Sequence, residues 1–582
     1  MLVANMNRNT PVIDFTPESV PMRRTGWMIY LSAVAVLLAW AGNTSLNGDE
    51  GDMAEGIRQL LCGNDIFSPQ CWWQPAERSF LWFCRFRMLP AQLFGSSELI
   101  CRLFSIISAV VLLCGTTMLA GDFFNRRTGV CAAWMLIGSY GFICWGRFAG
   151  SFMTLAAWVL WSVIWLRNAR DHFWWRSVFF FLLFAGLSWW GFHYLLLIPG
   201  IMLITMTSAR KALWCWNSLA AALFAGMVAA AVLFWQAGFP GVPPQEYPFR
   251  VWQQLKAVWA ESFYIAVRPE NGAWNLKSPV NLLRLTLPWS LPVVVAVSGM
   301  ICRWRELSGD HRRLLGGVLL MIIAAGIFPG RRWQYQLSLL PFMLMLCAGT
   351  VTGCAGIESW SRNAGRVMWW CFCILGSLAV AVIVTWPLWK IIFHFSPPLL
   401  LMFGIPLLGL SALLFLVFDT GGGSAVERVS GMNGPWSGYI LAGVCLMAAV
   451  FVVGVSGFDD YRSGRPFWEK CGKLSRHLPP HEILYYGAFP NAKHLYYMAL
   501  TSRCTVVKEP GEFAGVLGKI SSGEALLMLK RADFTAVREA LSTAEWAWKD
   551  AKPLAVEAGA VNFYGDEFTD GDKYIICRIR RL

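Results

Sequence analysis

The sequence of 582 residues is poor in charged side chains. Asp, Glu, Lys and Arg together make up 14% of it, whereas a soluble globular chain carries about a quarter. Apolar residues make up 56%. Because water could not dissolve a surface of this composition, the chain is predicted to be an integral membrane protein.

A signal-peptide pattern is missing from the polar stretch before Arg23, and the first apolar segment has no convincing cleavage site. That segment is therefore expected to remain as a membrane anchor. The basic residues are spread one or two per loop instead of forming one basic face, which argues against nucleic-acid binding. The net charge of +14 is mostly a signal of membrane topology.

The apolar residues come in runs that suit membrane spans, each of which needs about 20 residues. We predict an all-α membrane bundle of about thirteen transmembrane helices within residues 26–457. The stretch 79–94 is predicted to be an interfacial helix, because Arg85 and Arg87 lie in its middle and a charge at the bilayer centre is costly. The approximate span limits are 26–43, 98–120, 129–146, 149–166, 174–190, 192–207, 212–236, 284–302, 314–329, 334–355, 366–388, 397–418 and 437–457.

The asymmetry of Lys and Arg between loops predicts a cytoplasmic N-terminal tail over residues 1–25. The outer side then holds the loops 43–97 and 237–283 and the C-terminal segment 458–582. This segment alternates helix-like and strand-like stretches, which predicts a small extracytoplasmic α/β domain with a partly parallel sheet. We assign no chemistry to it, because its sequence has neither a glycine-rich phosphate loop nor a nucleophile elbow.

Acidic residues are concentrated just outside the first span, where Asn47-Gly-Asp-Glu-Gly-Asp-Met-Ala-Glu55 holds four acids in nine residues. Asp49 and Glu50 would lie at the mouth of the bundle. A carboxylate there can take a proton from an attacking hydroxyl or hold a divalent metal ion. On spacing alone the commoner role is favoured: the acids begin an amphipathic helix over 52–61 and complement its dipole.

Basic residues are predicted at the same outer face. Arg331 and Arg332 stand just outside the ninth span, with Tyr335 one helical turn further. A doubled arginine beside a tyrosine suits a phosphate ester held at membrane level, although interfacial snorkelling is the commoner role. Glu77 and Arg78 form a second acid–base pair at this face.

Arg147 and His193 also fall at outer span ends. A lone histidine in such a place is more often a structural hydrogen-bonding group than a ligand. Taken together, the acids and bases suit a lipid-phosphate substrate that enters from the bilayer and a polar acceptor that arrives from outside.

The order of these parts resembles the GT-C glycosyltransferases, and most of all the branch that holds the aminoarabinose transferase for lipid A and the protein O-mannosyltransferases. In that branch the first span leads into a D-E-x-x-x-A-E helix, which Asp49-Glu50-Gly-Asp-Met-Ala-Glu55 matches. The resemblance covers residues 26–356 and is most specific over 49–102. Other similar motifs are Gly63-Asn-Asp-Ile66, the pair Glu77-Arg78, Leu93-Phe94-Gly95, Glu98 with Arg102, and Arg331, Arg332 and Tyr335.

The resemblance implies an inverting hexosyl- or pentosyltransferase with a polyprenyl-phosphate sugar donor, acting at the outer face of a bacterial inner membrane. The acceptor would be lipid A, another glycolipid or a protein. Asp49 is expected to be the general base, with Glu50 supporting it or binding the acceptor. The expected substrate-binding residues are Glu55, Glu77, Arg78, Arg147, His193, Arg331, Arg332 and Tyr335.

The sequence departs from the family pattern at several positions. Ser151 stands where the family often has an acid at the start of the fourth span, which puts any metal site that relies on that acid in doubt. His193 stands where a lysine is often found, and Ser79 and Phe80 replace the two prolines of the E-K-P-P motif. The metal requirement therefore stays open.

Two other functions remain open. One is a homologue that binds lipid-linked sugar without transferring it. Ser151 is consistent with this function because it replaces the acid that the family often has. The other is a transporter or flippase of lipid-linked sugar, which would need charged or broken helices near the bilayer midplane and repeated halves. The sequence shows neither feature.

Overall fold

The structure is a computed structural model, and parts of the chain are described in it. The residues described are 20–38, 41, 48–62, 79–168, 173–190, 197–205, 277–327, 333–353, 440, 443–444, 447, 465–475, 478–487, 495, 497–498, 504–520, 522–548, 555–556 and 574–581. The predicted spans 212–236, 366–388 and 397–418 lie outside these residues, and only four positions of the span 437–457 lie within them.

Helices make up the described part of the chain up to residue 353. They are α1 (Val20–Leu38), α2 (Gly48–Leu61), α3 (Ser79–Phe94), α4 (Glu98–Phe123), α5 (Arg126–Ile137), α6 (Tyr140–Gly146), α7 (Phe152–Asn168), α8 (Phe173–Trp190), α9 (Ile198–Thr205), α10 (Lys277–Leu285), α11 (Ser290–Cys302), α12 (Gly309–Ile327), the 3₁₀ helix Trp333–Leu339 and α13 (Leu340–Val351). Most of them overlap predicted spans.

The helix α4 is the centre of the first half of the bundle. Ser97 caps its start by accepting a hydrogen bond from the amide of Ile100, and Glu98 lies in its first turn, where a negative charge complements the helix dipole. Its 26 residues correspond to about 39 Å, enough to cross a bilayer. In the part of the chain that the structure describes, α4 is the one continuous helix both long and apolar enough to do so, and α5 with α6 would form a second, bent span.

The predicted span 129–146 is bent in the structure, because α5 and α6 meet at an angle of 61°. Gly138 ends α5, and Ser139 caps α6 by accepting from the amide of Phe142. A hydropathy window does not detect this break, because both flanking segments are apolar.

The predicted span 284–302 is likewise interrupted between α10 and α11. The two breaks lie against each other: the Tyr140 amide donates to the Leu287 carbonyl at 2.8 Å, and the Trp289 indole donates to the Met135 carbonyl at 2.7 Å. The breaks therefore satisfy each other's free backbone groups, as a membrane interior requires.

The helices α9 and α12 approach each other closely through glycines. A Cβ atom added at Gly317 would lie 2.4 Å from Ile204 and 2.6 Å from the Gly200 carbonyl. A Cβ atom at Gly200 would lie 2.6 Å from the Gly317 carbonyl. Small residues at such a crossing let the backbones pack directly against each other, a common arrangement between membrane helices.

The C-terminal part holds α14 (Arg465–Ser475), β1 (Ile483–Tyr486), β2 (Thr505–Val507), α15 (Phe513–Leu517), β3 (Glu524–Lys530), α16 (Phe534–Thr543), β4 (Trp546–Trp548), β5 (Ala555–Val556) and β6 (Tyr574–Arg581). The strand order is β2-β1-β3-β6-β4, with β5 also paired to β6. The strand β1 is parallel to β2 and β3, while β6 is antiparallel to its neighbours. The sheet is thus mixed.

Both faces of this sheet are covered, because successive side chains of a strand point to opposite sides. Leu484 and Leu527 face a cluster that includes residues of α15 and α16. Ile483 and Tyr485 face the other way, and they belong to the same cluster of buried side chains as α14 and the helical bundle. The sheet therefore packs as part of the main core on one side.

Candidate functional site

The first turn of α2 carries Asp49 and Glu50, the residues expected to be catalytic. Glu50 is buried, with 1% of its surface exposed. Its carboxylate accepts two hydrogen bonds from Arg102 of α4, from Nε at 3.0 Å and from Nη2 at 3.1 Å. The Ala149 amide also donates to Oε1 at 2.7 Å. Glu50 is therefore held in place by a bidentate ion pair and a backbone group.

Arg102 connects three segments of the site. Besides its bonds to Glu50, its Nη1 donates to the carbonyl of Ala41, just after α1, at 2.6 Å. The end of the first helix, the first turn of α2 and the body of α4 thus meet at one guanidinium group. A bidentate arginine–carboxylate pair fixes geometry better than a single contact, so the backbone of Asp49 is also fixed.

Arg87 of α3 forms a second buried connection. It is 1% exposed, and its Nη1 donates to the Cys101 carbonyl at 2.9 Å, while its Nη2 donates to the Gly150 carbonyl at 2.7 Å. Ser105 of α4 donates to the same Gly150 carbonyl at 2.8 Å. The charge that was expected to keep this helix at the membrane surface is therefore enclosed by protein and bonded to backbone oxygens.

The turn between α6 and α7 completes the cluster. It runs from Arg147, the C-cap residue of α6, to Ser151, and both side chains are buried. Ala149 and Gly150 of this turn hold Glu50 and Arg87 respectively. Burial, together with the nearby charge of Arg102, lowers the pKa of Arg147 to about 10, so its side chain is still protonated at neutral pH.

Glu55 lies one turn further along α2. Its carboxylate accepts from Arg58 Nε at 2.8 Å, from Arg58 Nη2 at 2.6 Å and from Gln59 Nε2 at 2.5 Å. Burial raises the pKa of Glu55, and Arg58 and Gln59 only partly offset this shift. All three of these polar side chains are buried, so protein encloses this part of the helix that the sequence predicted to be amphipathic.

Several expected site residues lie outside the described residues: Glu77, Arg78, His193, Arg331 and Arg332. Tyr335 lies in the 3₁₀ helix Trp333–Leu339, and Asp49 lies in α2; for these two the backbone position alone is described. From the expected set, the structure therefore brings together Glu50 and Arg147, with Asp49 beside Glu50 in the chain. Glu55 lies further along α2 and bonds to Arg58 and Gln59.

The sequence left the requirement for a metal ion open. Among the described residues, no three His, Cys, Asp or Glu side chains lie close enough to share an ion. Both carboxylate oxygens of Glu50 are occupied by Arg102 and Ala149. Ser151 offers a hydroxyl where the resemblance implies an acid.

Sequence reasoning gave no role to Arg102 or Arg87, which are the two arginines that hold the cluster together. Arg102 was noted in the Glu98-to-Arg102 motif, but its partner is Glu50, 52 residues away. Both arginines sit within apolar helices, where a charge is rare and marks a functional or packing site. That signal could have singled them out.

The whole architecture has known counterparts among solved structures. The crystal structure of ArnT from Cupriavidus metallidurans bound to undecaprenyl phosphate matches with a TM-score of 0.61 at 13% identity, over 95% of this chain and 98% of that chain. The apo structure of the same protein matches with a TM-score of 0.62 at 14% identity, over the same shares. The chain has the ArnT fold. The resemblance to this GT-C branch that the sequence motifs indicated is thereby confirmed at the level of fold.

No protein-family model matches the chain, and no curated protein sequence matches it either. The likeness to ArnT is thus carried by three-dimensional structure and short motifs, not by overall sequence similarity.

Proposed function

We propose that the protein is a glycosyltransferase that moves a sugar from a polyprenyl-phosphate donor to an acceptor at the outer face of a bacterial inner membrane. The acceptor class is a glycolipid such as lipid A, or a protein. The donor class is supported by the ArnT fold, since the ArnT of Cupriavidus metallidurans was crystallised with undecaprenyl phosphate, a polyprenyl phosphate. The N-terminus is cytoplasmic and the segment 458–582 is outside in this proposal.

The reaction is a single displacement with inversion. An acceptor hydroxyl attacks the anomeric carbon of the sugar, and Asp49 takes the hydroxyl proton as general base. The bond between the anomeric carbon and the phosphate oxygen breaks as the new glycosidic bond forms, and polyprenyl phosphate leaves. Arg78, Arg331 and Arg332, with the hydroxyl of Tyr335, stabilise the charge that develops on the leaving phosphate.

The observation that carries the proposal is the buried pair of Glu50 and Arg102 in a chain of this fold. The pair fixes the first turn of α2 against α4 and the α6–α7 turn. Because both oxygens of Glu50 are already bonded, its role is to position Asp49. A catalytic base must be held to within a fraction of an ångström, and residues locked by surrounding hydrogen bonds provide that precision.

Transport of a lipid-linked sugar is less well supported. Transporters place broken helices around a substrate site, where free backbone groups bind the cargo. The two breaks in the described bundle, at 138–139 and 286–289, instead bond to each other through Tyr140 with Leu287 and Trp289 with Met135. These backbone groups are therefore not available to a cargo.

Comparative mass spectrometry of envelope glycolipids and glycoproteins tests the proposal. A deletion strain is expected to lose one sugar from one acceptor class and to accumulate the corresponding polyprenyl-phosphate sugar, and the purified protein in detergent should restore the transfer when donor and acceptor extracts are mixed. Transfer in detergent separates an enzyme from a transporter, because no membrane remains to be crossed. Loss of the sugar in cells without transfer in detergent would contradict the proposal.

A further inference from the structure

Arg147 is a buried cation with an unsatisfied nitrogen. The residue is 7% exposed, and its Nη1 is sealed from solvent without a hydrogen-bond partner. A buried donor left unpaired costs about 1–3 kcal/mol, and more when it carries a charge. Its position at the C-terminal end of α6 favours a positive charge, but the helix carbonyls do not satisfy Nη1. A missing acceptor is therefore the feature to explain.

The carboxylate of Glu50, which lies in the same cluster as Arg147, already accepts hydrogen bonds from other groups. Glu50 interacts electrostatically with Arg147, but its two oxygens accept from both Nε and Nη2 of Arg102 and from the Ala149 amide. Arg87, on the other side of the turn, is bonded to carbonyl and hydroxyl oxygens and brings another positive charge. Glu98 of α4 is a second buried carboxylate that interacts with Arg102. Three arginines of the described cluster, Arg87, Arg102 and Arg147, therefore face two carboxylates.

Hydrogen bonds hold the turn that carries Arg147, so the turn cannot easily move to give Nη1 an acceptor. Its Ala149 amide is bonded to Glu50, and its Gly150 carbonyl accepts from Arg87 and Ser105. Ser151, four residues after Arg147, is buried and offers no charge. An acid at position 151, in the same buried turn as Arg147, could neutralise its charge, whereas the serine does not.

We propose that Arg147 binds the phosphate of the polyprenyl-phosphate lipid, and that Ser151 keeps the arginine free for it. This assignment rests on the proposed function and adds a phosphate ligand from the α6–α7 turn. A guanidinium is suited to phosphate because its planar donors can bond two oxygens at once. Because Nη1 is enclosed, this binding requires the Arg147 side chain to turn toward the phosphate.

Binding of undecaprenyl phosphate and of uncharged undecaprenol to the full-length protein in detergent micelles tests this inference. The wild type should bind the phosphate form more tightly than undecaprenol. Arg147→Gln should lose about tenfold or more of the affinity for undecaprenyl phosphate, as expected when a charge-assisted hydrogen bond is removed, while its affinity for undecaprenol should not change. Arg147→Lys, which keeps the charge, should lose less.

The pair Ser151→Asp and Ser151→Asn gives a second, independent test that leaves Arg147 in place. The two side chains have nearly the same size, but only Asp can neutralise Arg147. Ser151→Asp should reduce phosphate binding as Arg147→Gln does, and Ser151→Asn should not. If both Arg147→Gln and Ser151→Asp bind undecaprenyl phosphate like the wild type, the inference is wrong and the proposed function stands. If the wild type itself does not prefer undecaprenyl phosphate over undecaprenol, both the inference and the proposed function are wrong.

Discussion

The carboxylate of Glu50 and the guanidinium of Arg102 form a bidentate ion pair across 52 residues of sequence, with nitrogen–oxygen distances of 3.0 and 3.1 Å. Both side chains are almost fully buried. The two charges are neutralised by each other, so neither is a free ligand. The pair joins α2 to α4 and places the acidic start of α2 beside the α6–α7 turn.

Removal of one partner of this pair is expected to destabilise the protein strongly. Glu50→Gln leaves Arg102 buried without its counter-charge, which typically costs about 3–5 kcal/mol. Thermal unfolding of the purified protein should therefore begin at a clearly lower temperature. The double variant Glu50→Gln with Arg102→Met should recover part of the loss, because no unpaired charge remains. An unchanged unfolding temperature in Glu50→Gln would show that the pair contributes nothing to the fold.

Arg87 should not be replaceable by lysine. Its two terminal nitrogens reach the carbonyls of Cys101 and Gly150, and a lysine ammonium cannot span both positions. Arg87→Lys is expected to destabilise the protein by about 1–3 kcal/mol, measured by thermal unfolding. Arg305→Lys, at an exposed arginine, is the matched control and should have no effect. Equal stability of the two variants would mean that Arg87 does not hold the turn.

Neighbouring glycines of α12 should differ sharply in their tolerance of alanine. A Cβ at Gly317 would lie 2.6 Å from the backbone carbonyl of Gly200, whereas a Cβ at Gly316 would meet the side chains of Leu203 and Trp304 at 3.1 and 3.3 Å. Gly317→Ala is therefore expected to cost about 1–3 kcal/mol through overpacking, and Gly316→Ala much less. Similar unfolding temperatures for both would contradict the close packing of α9 on α12.

Much of the fold could be predicted from the sequence, because hydropathy and helix length are local properties. The predicted span 98–120 corresponds to α4, Glu98–Phe123, and strands such as β1 occur in the C-terminal segment, where strand-like stretches were predicted. The helix break at Gly138 was missed, since Ser139 and Gly138 act through capping and not through polarity.

The candidate site could be predicted only in part. The acidic motif at Asp49 and Glu50 is local and therefore visible, whereas the partners of Glu50 come from α4 and from the α6–α7 turn, and a single sequence does not show which distant residues meet. The aromatic and apolar surroundings of Arg87 suggested a membrane surface, because the cost of a charge in lipid is known from sequence but its enclosure by protein is not. The assigned roles of Arg78, Arg331 and Arg332 stay predictions.

The orientation of the chain is open to a direct test. The loop asymmetry of arginines predicts that the C-terminus lies outside the cytoplasm. Alkaline phosphatase, which is active only in an oxidising compartment, should therefore be active when fused after Leu582. The matched control is a fusion within the loop 303–308, which is predicted to be cytoplasmic and should be inactive. The opposite pattern would place Asp49 on the wrong face of the membrane for the proposed reaction.

The most direct test of the account is transfer by Asp49→Asn. This variant keeps the size of the side chain but cannot take a proton, and a general base typically contributes about 10²–10⁴-fold to the rate. The purified variant should unfold at the wild-type temperature and bind undecaprenyl phosphate normally, while its rate of sugar transfer from a polyprenyl-phosphate donor falls by about 10²-fold or more. Asp52→Asn, in the same helix, is the matched control and should transfer at nearly the wild-type rate. Wild-type transfer by Asp49→Asn would contradict the mechanism and leave the acids of α2 as helix caps.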